Sequence, residues 1–185
     1  MRHLILTAAA LILAACAAPV ETRQYLLATP EASTALGPTP AIGLRELAMP
    51  LYARRQEIAL LGPDGAIVSS PDHIWADDLA RASTRLIARR LGAGGEVYAE
   101  PWPLGADPQL LVAVEVDRFV GALGGETVLE GEITVSRIDD RGRPLRRSFA
   151  IRTTAAGPGH GDLVRAYSEA LAMLAEDIAE AAAGA

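Results

Sequence analysis

The residue best placed to do chemistry is Cys16, the chain's one cysteine, which follows Leu13-Ala14-Ala15 at the end of a short apolar run. In that setting the thiol is a substrate for acylation. Small residues at 14 and 15 let a peptidase reach the bond before Cys16, and the freed cysteine then carries the lipid. Arg2 and His3 form a polar head, and Leu4 to Ala15 are almost wholly apolar. The run falls short of the about 20 apolar residues that cross a bilayer comfortably. The expected boundaries are a lipoprotein signal peptide over 1–15, a lipidated tether over 16–23 and one folded domain over 24–185. Each buried lipid methylene contributes about 0.8 kcal/mol, so two or more chains anchor stably where one holds marginally.

Other residues could do chemistry only with help that their surroundings do not offer. His73 and His160 are the histidines beyond the leader, and either could serve as a general base. Neither has a second histidine or a cysteine near it in sequence, and no Gly-X-Ser-X-Gly elbow accompanies them. Glu115, Asp117, Glu130 and Glu132 could pair across strands as an acid and a base, yet they alternate as on an exposed sheet face. The glycine-rich run Gly157 to Asp162 could hold an anion at a helix start, but no lysine follows it, and Asp162 reads more simply as a cap. Arg81, Arg85 and Arg89 form a stripe at i,i+4 spacing headed by Asp77 and Asp78; it reads as a solvated helix face with weak ion pairs, with a partner contact as the other use. Trp102, between Pro101 and Pro103, is a candidate partner contact or a residue packed on the sheet edge, and Trp75 a core anchor of the first helix.

Composition narrows the classes further. The 17 basic residues are all arginine, against 23 acidic ones, for a net charge of -6. That balance disfavours nonspecific nucleic-acid binding, and the absence of lysine removes Schiff-base and phosphate-loop chemistry. With Cys16 alone no disulfide can form within the chain, and cysteine–histidine zinc chemistry has no ligand set; no cofactor or metal is expected. The 170 residues after the leader suffice for a single core.

The elements that must carry these residues follow from periodicity. Gln24–Ala28 reads as a short extended segment, 29–40 as a loop, and Ile42–Ala48 as an imperfect strand. Ile58–Leu61 and Ile67-Val68 flank the turn Gly62-Pro63-Asp64-Gly65 as a hairpin. Ser70-Pro71-Asp72 precedes an expected helix in which Trp75, Leu79, Ala82, Leu86 and Ile87 share a face, stopped by Gly92. Three strands follow, from Leu110, through Leu129 to Val135, and from Arg147 to Thr153, the last two separated by a turn over 139–144. They predict an antiparallel meander. Leu163, Tyr167, Leu171, Leu174 and Ile178 line one face of a final helix. The expected fold is α+β: a single domain with a mostly antiparallel or mixed β-sheet and two main helices packed on one face.

An ordered set of features resembles the PqiC-like, ABC-transport auxiliary lipoprotein family. They are the cysteine motif, Gln24-Tyr25-Leu26-Leu27, Pro50-Leu51-Tyr52 with Arg55 and Ile58, and Ile74-Trp75-Ala76-Asp77-Asp78-Leu79 with Arg85-Leu86. Gln56 and Glu57 stand where the family often has proline and glutamine between the arginine and the isoleucine. The resemblance implies a non-enzymatic component of an intermembrane lipid transport system, with Cys16 as the lipidation site. Its implied partners are an MCE-domain protein and an inner-membrane ABC transporter or permease, and self-association into a ring would suit a tubular partner. Ala17, rather than aspartate, after the cysteine favours the outer membrane, with the body in the periplasm. Two other classes remain open: a structural lipoprotein assisting assembly of another outer-membrane complex, and a periplasmic hydrolase using His160 or Asp162.

Overall fold

The structure is a computed structural model that describes residues 21–28, 40–92, 95–139 and 142–185. Cys16, the leader, the tether up to Val20, residues 29–39 of the expected loop, and Asp140 and Arg141 of the expected turn lie outside those residues.

Among the described residues, one mixed sheet of eight strands and two helices make a single α+β domain. The strands are β1 (Arg23–Tyr25), β2 (Ile42–Leu44), β3 (Glu57–Leu61), β4 (Ile67–Trp75), β5 (Val97–Ala99), β6 (Leu110–Gly121), β7 (Glu126–Arg137) and β8 (Leu145–Thr154). Helix α1 spans Leu79–Leu91 and α2 spans His160–Ala183. The expected meander is present: β7 pairs antiparallel with β6 from one end to the other, and β8 with β7. Along its other edge β6 is shared. Parallel β2 takes the Leu110 end, and parallel β3 meets it at the other, with Leu60 opposite Gly121. Outward from these, β5 pairs parallel with β2, β4 antiparallel with β3, and β1 parallel with β4.

Alternation decides which sheet face is covered. Leu110, Val112, Val114 and Val116 of β6, with Leu129, Ile133 and Val135 of β7, are buried, while Glu115 and Asp117 between them are exposed. The two helices pack on the buried face and on each other. In α2, Leu163, Tyr167, Leu171, Leu174 and Ile178 form the buried stripe that their spacing predicts. The Tyr167 ring stacks on Phe119 with centroids 4.3 Å apart and meets Trp75 at 6.0 Å. Burial pushes its phenol far above the usual value, which keeps it neutral.

Two expectations fail here. Ser70-Pro71-Asp72 does not open a helix, and Trp75 is not on one; both lie in β4. Ile58 pairs with Ser70 but the adjacent Glu57 pairs with Ile74, so β4 bulges between these positions and accommodates Pro71, which has no N–H to give a ladder. Helix α1 starts four residues after Trp75, with Asp78 as its N-cap accepting from Arg81 N–H at 2.9 Å. Strand β5 was not expected; its three residues are too few for a periodicity to show.

The pairing gives the molecule two ends. At one lie the β3–β4 turn, the β6–β7 turn and the start of α2: Ala155 N–H bonds Gly125 O at 2.9 Å, and His160 contacts Ser70. At the other lie the start of β6, the short strands β2 and β5, and the 101–108 loop, whose Trp102 reaches back to Leu44.

Candidate functional site

Three of the segments that carry the family resemblance, around Tyr25, Tyr52 and Trp75, meet in space. Gln56 O accepts from Trp75 N–H at 2.8 Å, and Tyr25 O accepts from Ala76 N–H at 2.9 Å. Tyr52 pins the intervening loop to the sheet, its hydroxyl accepting from Phe119 N–H at 2.9 Å. Between these segments opens a cleft of about 340 Å³ lined by Arg54, Arg55, Gln56 and Trp75 to Leu79. Within its wall, Asp77 pairs with Arg85, and that guanidinium holds the carboxyl below the usual carboxylate range.

The arginine stripe is present on α1, and the structure engages its members. Arg81 lies 3.6 Å from Glu46, and Arg85 pairs with Asp77. Arg89 is exposed and lines a shallow depression with Ala88, Val97 and Ala99. These pairs are partly exposed, so they contribute little to stability.

The histidines are brought together, which no spacing indicated. His73 on β4 and His160 at the first turn of α2 stack with ring centroids 3.5 Å apart and planes 4° from parallel. Tyr25 Oη lies 2.8 Å from His73 Nδ1, and Ser70 Oγ lies 2.8 Å from His160 Nε2. Partial burial and the neighbouring His73 hold the His160 pKa below its usual value. The serine–histidine contact has the reach of a nucleophile and its base, but among the described residues no carboxylate hydrogen-bonds the other nitrogen of His160. Stacked rings also cannot aim two in-plane lone pairs at one metal ion. Among the described residues no group of three or more His, Cys, Asp or Glu could hold a metal ion.

Two of the four sheet carboxylates, Glu130 and Glu132, are paired with arginines. Glu130 sits between Arg118 at 3.3 Å and Arg152 at 2.9 Å, and Glu132 pairs with Arg146 at 3.1 Å. Glu115 stands directly across from Glu132. At the start of α2 the N-cap is Gly159 and not Asp162, which stands three residues on, accepts from Gly159 N–H at 3.2 Å and pairs with Arg165.

Trp102 packs its indole over Gly43 and lies with Nε1 3.4 Å from Leu44 O, leaving 37% of its surface exposed; Leu104 beside it is fully exposed. Among the described residues no helix is long and apolar enough to cross a membrane.

Comparison with known proteins gives the same direction. A family described as the ABC-type transport auxiliary lipoprotein component matches residues 25–179. No curated protein matches the chain. Among solved structures, one described only as an uncharacterized protein shares 19% identity at a TM-score of 0.69, covering 86% of this chain and 97% of its own. A protein of Xanthomonas campestris shares 13% identity at a TM-score of 0.69, with 85% and 93% covered. At these identities the two structures show a common fold. The family match takes in the Tyr25, Tyr52 and Trp75 segments joined at the cleft, and the chain belongs to the ABC-type transport auxiliary lipoprotein component family.

Proposed function

We propose that this chain is a non-catalytic subunit of an MCE/ABC-type intermembrane lipid transport system, held to the outer membrane by acylated Cys16 and docking or guiding its partner in the periplasm. The observation that carries this reading is the family match over residues 25–179. The Leu13–Cys16 motif supports the anchor, and Ala17 supports the outer membrane as its address. The working partners are an MCE-domain protein and, beyond it, an inner-membrane ABC transporter or permease. Trp102 and the Arg81, Arg85 and Arg89 stripe are candidate contacts with them.

The test is crosslinking and affinity purification of the anchored protein from its native envelope, read by mass spectrometry, beside a Cys16→Ala variant. The expected result is capture of an MCE-domain protein by the native chain, with both membrane retention and capture lost in the variant. Capture of a different envelope complex in its place would overturn the transport role, and a fully functional unanchored variant would overturn tethering as its mechanism.

A further inference from the structure

We infer that the Gly121 end of the body is a lipid-contacting surface, with Ile67, Val68 and Leu123 resting on the bilayer that holds Cys16, an inference that rests on the anchoring proposed above. The argument begins with reach. Seven steps of chain separate Cys16 from Arg23, the first residue of β1, and fully extended they span at most about 25 Å. Arg23 is level with His73, and through β3 that position falls about three residues short of Gly121 on β6. From there to Leu110 is roughly eight residues, or about 26 Å of strand. The 101–108 loop, at that same end, stands further still from β1.

Direction adds to length. β1 runs parallel to β4, so the chain preceding β1 leaves toward the end where β4 begins, beside the β3–β4 turn. To bring the Leu110 end onto the membrane, the tether would have to double back along about eight residues of sheet, a path of about 26 Å that uses up its whole extension before the reversal itself and the 101–108 loop beyond are allowed for. The body is therefore held with its Gly121 end toward the lipid.

That end is built with apolar side chains exposed. Beyond Leu60 the β3–β4 hairpin has no third strand among the described residues: Leu60 pairs with Val68 and Leu61 with Ile67. Ile67 and Val68 are 44% and 47% exposed, and Leu123 in the neighbouring turn is 39% exposed. Asp64 at the tip of the β3–β4 turn is exposed, its carboxylate accepting from Ala66 N–H at 3.1 Å, while Glu126 pairs with Arg152 and Asp162 with Arg165, so among the described residues no basic cluster faces the lipid. The contact is thus apolar, gaining from area removed from water, and does not call for an anionic headgroup.

The test uses the full acylated chain, whose native cysteine is occupied by lipid, so that Val68→Cys, Leu123→Cys and Leu104→Cys each offer one thiol to an environment-sensitive fluorophore. The labelled proteins are incorporated into phosphatidylethanolamine vesicles with and without phosphatidylglycerol, some bearing nitroxide lipid. At 68 and 123 the emission is expected to shift to the blue and to be quenched by nitroxide lipid, equally in both compositions, while 104 stays unchanged. Vesicle-bound acylated protein that shows no shift at 68 and 123, quenching at 104 in their place, or a contact that appears only with phosphatidylglycerol would overturn the inference while leaving the anchor intact. Protein that carries no lipid and does not bind the vesicles overturns the anchor, and this contact with it.

Discussion

At the scale of single residues, the stacked histidines make a pH-dependent contact whose sign follows from their surroundings. Around His160 stand His73 and Ser70 from β4 and Tyr25 from β1, with Asp162 and Arg165 on its own helix. Burial first, and then His73, disfavour its charged form, and the positive end of the α2 dipole acts in the same sense. Its folded pKa lies below the ordinary 6.5. Folding therefore favours neutral His160: the contribution is fully present above that ordinary value and is lost as pH falls through the lowered one. An NMR titration of the imidazole protons should place the His160 midpoint below 6.5, and the melting temperature should fall less between neutral and mildly acid pH in His160→Gln than in the native chain. A midpoint at or above 6.5 would refute this. Little of the cluster was legible beforehand, because 86 residues separate His73 from His160 and only the β1–β4–β3 pairing and the α2 start unite them. Asp162, by contrast, was readable as a helix-start residue from its place beside Leu163, although the N-cap itself is Gly159, three residues earlier.

At the scale of elements, what the sequence made legible was what repeats. The meander β6–β8 and helix α2 each bury one side of a long, regular pattern, and both were readable from periodicity alone. The departures sit where a local signal has two structural uses. Ser-Pro-Asp before an apolar residue suits a helix start, yet the pairing of β4 with both β3 and β1 claims those residues for a bulged strand. A second bulge, between Val116 and Arg118 of β6, leaves a sharper consequence. There Gly131 of β7 lies so close that an added Cβ would stand 2.0 Å from Glu115 O and 3.0 Å from the Phe149 ring. Neither the paired backbone nor a buried ring can yield cheaply, so Gly131→Ala should destabilise the fold by about 1–3 kcal/mol, the range for overpacking a filled site. Urea unfolding measures it. A midpoint unchanged from the native chain would mean that the β6–β7 ladder adjusts more freely than its contacts imply.

At the scale of the whole molecule, the proposed anchor at Cys16, on a tether no longer than the body, would turn position along β6 into position relative to the membrane. If the Gly121 end faces lipid, the Leu110 end is presented to whatever the protein docks, and the 101–108 loop is its most exposed apolar feature. Trp102 and Leu104 divide the work there. Trp102 is seated on β2, where Gly43 leaves room that a Cβ would occupy at 2.8 Å from the indole. It offers a rigid aromatic edge of the kind that anchors interfaces. Leu104 touches nothing that fixes it, its side chain standing fully in solvent, so its apolar surface gains only when a partner covers it. Replacing Trp102 would disturb the β2 edge and confuse docking with folding. Leu104→Asp avoids that, because a fully exposed position should move stability by no more than about 0.5 kcal/mol. With acylation and unfolding midpoint unchanged, Leu104→Asp should weaken crosslinking to the MCE-domain protein proposed as the partner, and Met173→Asp, on the exposed side of α2, should leave it unaltered. The reverse pattern would move the docking surface from the loop to the helix while keeping the orientation that the tether imposes.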